Sequence, residues 1–139
     1  MATQSRIAIE ISETRIESIY CHWDGYPTGV GATLNESYTD REKVLELIKL
    51  GDISSLGAEV NPTGEHSFSK PMDGVTVAYA RDRGEQLRAA TVNQTRGQLF
   101  NLSHEDYLYL YTMDGVWEFI SWNNREPQNL SYFLDKSTK

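Results

Sequence analysis

The sequence has little of what membrane, secreted and metal-binding proteins need. Its apolar runs fall far short of the ~20 residues that span a bilayer, and no apolar segment of signal-peptide length follows the N-terminus. Cys21 is the only cysteine, which excludes an intrachain disulfide, and one cysteine with three separated histidines does not make a zinc site. We therefore expect a protein of a reducing cytoplasm, outside the membrane, with no metal or other cofactor.

Basic charge is also scarce. The chain has 13 lysines and arginines against 20 aspartates and glutamates, a formal net charge of −7. A protein that binds nucleic acid in general usually carries a basic stripe, whereas the densest basic group here is the trio Arg81, Arg83 and Arg88. We expect no general nucleic-acid binding. The acidity keeps the protein soluble or attracts a partner with a basic surface, and the trio could hold one small anionic ligand.

The remaining composition is that of an ordinary globular protein. A chain of 139 residues with 39% hydrophobic residues can bury one core. There is no internal repeat and no linker, so we expect a single small domain over residues 1–139. Two hairpins, one further strand and two or three helices, without regular βαβ alternation, predict an α+β fold with an antiparallel sheet and the helices packed on one face.

Alternating apolar residues predict the first strands. Ile7, Ile9 and Ile11 share one face of a half-buried strand. A second strand over residues 16–23 would complete a hairpin. Residues 75–79 alternate in the same way and predict the further strand.

The clearest hairpin lies in the C-terminal third. Residues 107–113 and 116–122 flank an Asp-Gly pair at 114–115, which is a strong hairpin signal. A two-residue turn there places Leu110 opposite Phe119. The tryptophan and phenylalanine of the second strand would then share a face with the leucines of the first.

The most secure helix is predicted between Thr39 and Gly51. Thr39 and Glu42 have the spacing of a capping box, and Gly51 stands where a helix C-terminal glycine belongs. The rest of the chain is predicted as a short helix over 30–38, a long loop over 57–74, an unassigned stretch over 88–102 and, after Pro127 ends the regular structure, a short C-terminal turn or helix.

The densest cluster of reactive side chains lies where the second strand runs into a Gly/Pro turn. His22 could act as an acid or base with Asp24 orienting it, or it could simply pin the turn that Asp24 caps. Cys21 neighbours His22 on a strand, so the two side chains point to opposite faces and Cys21 belongs to the core. The candidate binding residues of this cluster are Tyr20, His22, Trp23, Asp24 and Tyr26.

A second charged cluster follows the strand at 75–79. Two arginines with a glycine between the charges could clamp a phosphate or carboxylate, and the alternative is a solvated turn with weak ion pairs. The candidate binding residues are Arg81, Asp82, Arg83 and Glu85. Neither cluster is a complete catalytic or metal-binding constellation, so we assign no catalytic residue and no metal ligand.

The segment Tyr20-Cys21-His22-Trp23-Asp24-Gly25-Tyr26-Pro27, followed by Gly29-Val30-Gly31, resembles a family of small bacteriophage proteins. The run from Arg81 to Glu85 and the late strands with Trp117 resemble it as well, so the likeness covers most of the chain. The resemblance implies a phage product acting in the host cytoplasm and carries over no catalytic roles. The two candidate clusters coincide with its motif positions.

These observations favour a non-enzymatic binding protein that sequesters or inhibits a host protein, for example a defence factor, or a small anionic ligand. One alternative is a small hydrolase of a nucleotide-like substrate that uses His22 with Asp24 or Asp82. A second alternative is a virion or assembly component held by homo-oligomerisation.

Overall fold

The computed structural model describes residues 2–137, which form one eight-stranded sheet with helices on both faces. Residues 1, 138 and 139 of the predicted domain lie outside the described residues. The α+β class is confirmed. The strands are β1 Ser5–Ser12, β2 Arg15–Cys21, β3 Ile53–Ser55, β4 Val77–Ala78, β5 Thr91–Asn93, β6 Tyr107–Tyr111, β7 Trp117–Ser121 and β8 Asn124–Asn129. Their order in the sheet is β4-β3-β2-β1-β6-β7-β8, with β5 paired to β2.

The expectation of a purely antiparallel sheet is wrong. The first strand β1 pairs antiparallel with β2 but parallel with β6, and β2 pairs parallel with β3. Parallel neighbours need long crossover connections, and the helices supply them. The helical segments are a π-helical turn Pro27–Gly31, α1 Ala32–Ser37, α2 Arg41–Lys49, α3 Tyr79–Arg83, α4 Arg96–Leu102 and α5 Leu130–Ser137, and α5 follows the last strand and lies in no crossover. None of the helices within residues 2–137 is long and apolar enough to cross a membrane.

The first hairpin forms as its alternation predicts, although β2 ends at Cys21 and not at Trp23. Ile7 pairs with Ile19, and both side chains are fully buried. They belong to the larger of two hydrophobic clusters, which α1, α2 and α5 cover. The smaller cluster lies on the opposite face, where Leu99 of α4 packs on Leu108 and Leu110. The helices therefore cover both faces, not one.

The C-terminal hairpin forms with a register one residue away from the predicted one. Tyr109, not Leu110, lies opposite Phe119. The Thr112 N–H donates to the Val116 carbonyl, which leaves a three-residue loop that ends at Gly115 with φ 76°. A slip of one residue moves every side chain of a strand to the other face. Phe119 consequently packs with the tyrosines rather than with the leucines.

Helix α2 begins one residue later than the capping box predicts. Asp40, not Thr39, is the N-cap, and its carboxylate accepts the Glu42 N–H. The Thr39 carbonyl instead accepts the Tyr111 hydroxyl. Gly51 has φ 75° just after the helix, as expected of a helix C-terminal glycine.

Three further segments differ from the expectations. The strand predicted over 75–79 shortens to Val77–Ala78, and the charged turn after it is helix α3, which Gly84 ends at φ 76°. The unassigned stretch over 88–102 contains β5 and α4. Pro127 does not end the regular structure, because it lies in β8 at the sheet edge, where a strand tolerates proline.

Candidate ligand-binding site

A cavity of about 380 Å³ opens where the end of β2 meets α3 and the segment that follows it. This volume falls within the range of about 300–1,000 Å³ that is usual for small-molecule sites. We call it the Tyr20 pocket. It brings three predicted site residues together from both clusters: Tyr20, Arg83 and Glu85. Its lining residues are Tyr20, Asp52, Tyr79, Ala80, Arg83, Glu85, Gln86 and Arg88.

The parallel pairing of β2 with β3 builds one side of the pocket. Asp52 immediately precedes β3, and its Oδ1 accepts the Tyr20 N–H at 3.0 Å. The segment that contains Arg88 forms the other side of the pocket and lies close to Gly51. A Cβ on Gly51 would lie 2.7 Å from the Arg88 carbonyl oxygen. The positive φ and the lack of a side chain at Gly51 therefore allow the segment with Arg88 to pass close over the end of α2.

The side chains of Tyr20 on β2 and of His22, which directly follows the strand, lie on the same side, as the sequence alternation predicts. The Tyr20 hydroxyl lies 2.7 Å from His22 Nδ1. Burial raises the pKa of Tyr20, so the phenol keeps its proton at neutral pH, and the imidazole tautomer decides which of the two groups donates in this hydrogen bond. The Trp23 ring packs edge-on against the imidazole at 4.7 Å between centroids, which holds this side chain beside the pocket.

Cys21 lies on the opposite face in the core, as predicted. Its side chain is buried, and burial raises the pKa of the thiol to about 12. A thiol with this pKa is a poor nucleophile at neutral pH. The core role of Cys21 is therefore confirmed.

Arg83 is held at the pocket by two aromatic rings. Its guanidinium carbon lies 4.7 Å from the ring centroid of Phe68 and 5.1 Å from that of Tyr79. It also forms an ion pair with Glu85. Cation–π contact and the ion pair both restrict the side chain. Arg83 therefore presents a fixed positive charge on the wall of the cavity.

Arg81 and Asp82 serve the adjacent loop instead of the pocket. The Arg81 guanidinium donates to the carbonyls of Val60 and Thr76, both at 2.7 Å, and to the Asp82 carboxylate. Asp82 also accepts the Ala78 N–H at 2.8 Å. The structure does not bring Arg81 to the cavity beside Arg83, because the Arg81 donors bond within the protein. Arg88, which the sequence shows only as part of a basic trio, lines the pocket in its place.

A histidine with a buried side chain, outside both candidate clusters, completes this loop anchor. His66 Nδ1 accepts the Met72 N–H at 2.9 Å, and Nε2 lies 3.0 Å from Asp82 Oδ2. Burial alone would raise the pKa of Asp82, but the bonds from Arg81, Ala78 and His66 together lower it. The pair is buried, and neither His66 nor Asp82 lines the Tyr20 pocket, so it does not act on a ligand there.

The other residues of the first cluster form a separate surface. Trp23 and Asp24 line a second cavity of about 220 Å³. Asp24 has φ 57°, its carbonyl accepts the Val30 N–H at 2.8 Å, and its carboxylate accepts the Tyr26 hydroxyl at 3.2 Å. These bonds fit the turn-capping alternative for Asp24. Trp23 and Tyr26 stay 48% and 40% exposed.

Comparison with protein-family models, with curated proteins and with solved structures finds no match. Within residues 2–137, no group of three or more histidine, cysteine, aspartate or glutamate side chains could hold a metal ion. The assignment of a function therefore depends on the geometry of the Tyr20 pocket.

Proposed function

We propose that the protein is a phage-encoded, non-enzymatic binding protein that sequesters a small anionic ligand in the host cytoplasm. The observation that carries the proposal is the convergence of Tyr20, Arg83 and Arg88, from three segments of the chain, on one cavity. The resemblance to bacteriophage proteins supports the setting. A cavity with two arginines and two tyrosines has the lining expected of a site for a small anion with an apolar part.

Arg88 is the cation that most favours an anionic ligand. Arg83 is already paired with Glu85, whereas Arg88 is exposed and has no ion pair among the described residues. A guanidinium without a carboxylate partner keeps all its donors for a phosphate or carboxylate, which it can bind in a bidentate fashion. The ligand would therefore gain its strongest polar contacts at Arg88.

The contacts of the candidate acids favour binding over hydrolysis. The hydrolase alternative needs His22 to be oriented by Asp24 or Asp82. The carboxylate of Asp82 is bound by His66, Arg81 and the Ala78 N–H, and that of Asp24 accepts the Tyr26 hydroxyl. Within residues 2–137, His22 has no carboxylate hydrogen-bonded to it. Sequestration needs no such dyad, so we prefer it.

A host protein is the second candidate partner. The exposed Trp23 lines the smaller cavity, and the exposed Tyr26 bonds to Asp24 of the same lining. Exposed tryptophan and tyrosine are enriched in protein interfaces because they bury a large area when a partner covers them. This surface is distinct from the arginines of the Tyr20 pocket, so variants can separate the two partners.

Native mass spectrometry of the protein recovered from infected host lysate tests the proposal. We expect an added mass on the order of several hundred daltons, the size that such a pocket accepts. The Arg88→Glu variant should lose this adduct. Arg15→Glu is the matched control, because Arg15 is exposed at the other end of β2. A bare wild-type protein would overturn the small-ligand proposal, and a bound polypeptide would favour the host-protein candidate.

A further inference from the structure

We infer that the anion held in the Tyr20 pocket is a nucleotide. This inference rests on the proposed function and adds the chemical class of the ligand. A site for a bare anion needs only cations and N–H donors, but this pocket also contains two phenol rings and a carboxylate, Asp52, that has unused acceptor capacity. Those extra groups match a planar base that carries N–H donors.

The tyrosines provide apolar ring surface for the base. Tyr20 and Tyr79 both line the cavity. The Tyr20 ring is held by the bond from its hydroxyl to His22, and the Tyr79 ring by contact with Arg83 and with Phe68, 5.8 Å away between ring centroids. Rings that are already fixed lose little entropy when a base stacks on them. Such stacking accepts any base because each has a π-face.

Asp52 provides the discrimination against simpler anions. Its Oδ1 accepts the Tyr20 N–H, while Oδ2 has no hydrogen-bond partner among the described residues. An ionised carboxylate accepts hydrogen bonds and repels other anions. Next to Arg88, Asp52 therefore disfavours a bare phosphate and favours a ligand that places an N–H group on Oδ2. The amide of Gln86 can donate to or accept from the same base edge.

The arginines provide the phosphate contacts, and the cavity limits the size of the ligand. Arg83 and Arg88 both line the cavity, and Arg83 is also paired with Glu85. A volume of about 380 Å³ is near the lower end of the usual range for small-molecule sites. A single nucleotide suits this space better than a nucleic-acid strand, which also agrees with the net charge of −7.

The test is equilibrium binding of the full chain, by isothermal titration calorimetry, to the four ribonucleoside monophosphates. Ribose 5-phosphate is the control ligand without a base, and adenosine is the control without a phosphate. We expect at least one nucleotide to bind about tenfold or more tightly than either control. The Asp52→Asn variant keeps an acceptor for the Tyr20 N–H, so it should fold, lose about tenfold in nucleotide affinity and bind ribose 5-phosphate no more weakly.

The outcomes separate this inference from the proposed function. Equal affinity for ribose 5-phosphate and every nucleotide, sensitive to Arg88→Glu, would overturn the nucleotide class and leave anion sequestration standing. If the protein binds no nucleotide but still carries an adduct that the Arg88→Glu variant loses, the nucleotide class is also overturned and anion sequestration stands. An affinity unchanged in Arg88→Glu would overturn the proposed site. Unchanged nucleotide affinity in Asp52→Asn would overturn the role of Asp52 in reading the base.

Discussion

His66 and Asp82 form a buried pair, with Nε2 of the imidazole 3.0 Å from Oδ2 of the carboxylate and side-chain exposures of 1% and 4%. The pair fastens the long loop after β3 to helix α3. The Phe68 N–H donates to the Asp82 carbonyl at 3.1 Å, and the Phe68 ring lies under Arg83. The loop anchor and the wall of the Tyr20 pocket are therefore connected through Phe68.

Replacing Asp82 with asparagine should destabilise the protein. Asparagine lacks the negative charge that Arg81 and His66 contact. If its side-chain oxygen still accepted the Ala78 N–H, its NH₂ group would face the Arg81 Nε–H, which is also a donor. Breaking a buried charged pair of this kind costs about 2–4 kcal/mol in the free energy of unfolding. Urea denaturation measures the loss. Asp73→Asn is the matched control, because Asp73 is exposed in the same loop. Equal midpoints for the two variants would contradict the anchoring role.

Gly51→Ala should disturb the pocket more than Gly74→Ala. Both glycines have a positive φ, 75° and 77°, so both variants bear the strain of a left-handed backbone, about 1–2 kcal/mol. Only at Gly51 would the new Cβ meet backbone, 2.7 Å from the Arg88 carbonyl oxygen, whereas nothing lies within 4 Å at Gly74. This overlap should cost Gly51→Ala about 1–3 kcal/mol more. Urea denaturation should show this order of stability, and the reverse order would contradict the close approach.

Alternation and helix-end signals predicted the parts of the fold that depend on local sequence. Ile7 and Ile9 occupy alternate positions of β1 and lie in the core, and Gly51 follows the end of α2. The register of the last hairpin could not be predicted in this way. An Asp-Gly pair suits a two-residue turn, but it also suits the three-residue loop with a left-handed Gly115 that forms here.

Of the candidate site, only the part contributed by the second strand could be predicted from the sequence. The same alternation places the side chain of Tyr20 on β2 and that of His22, just after the strand, on one side. Asp52 reaches Tyr20 from 32 residues away because β3 pairs with β2, and this pairing leaves no local pattern. His66 lies in a loop without periodicity, so its contact with Asp82 likewise depends on tertiary packing.

Acid should weaken the contact between Glu10 of β1 and Arg96 of α4. Arg96 Nε and Nη2 donate to the two Glu10 oxygens at 3.0 and 2.9 Å, and these bonds lower the pKa of Glu10 more than its burial raises it. The folded pKa lies below the unfolded value of 4.5. The contact therefore stabilises the protein above pH 4.5, and the stabilisation is lost as the pH falls through the folded pKa.

Glu10→Gln tests this pH dependence. The wild-type protein should exceed the variant in free energy of unfolding at neutral pH, and the difference should shrink as the pH falls to about 3. Urea denaturation at a series of pH values measures it. Glu13→Gln, in the exposed turn of the first hairpin, should follow the wild-type curve throughout. A constant difference between wild type and Glu10→Gln would contradict the ionic contribution.

Alkylation of the single cysteine should report opening of the sheet between β2 and β3. Cys21 is buried, its thiol pKa is raised to about 12, and it pairs with Ile53 of β3. Since only the accessible thiolate reacts, iodoacetamide should modify the native protein at least about 100-fold more slowly than the urea-unfolded chain. Thr14→Cys in a Cys21→Ala background places the thiol in an exposed turn and should react about as fast as the unfolded chain. Rapid native alkylation of Cys21 would show that this part of the sheet opens beside the Tyr20 pocket without global unfolding.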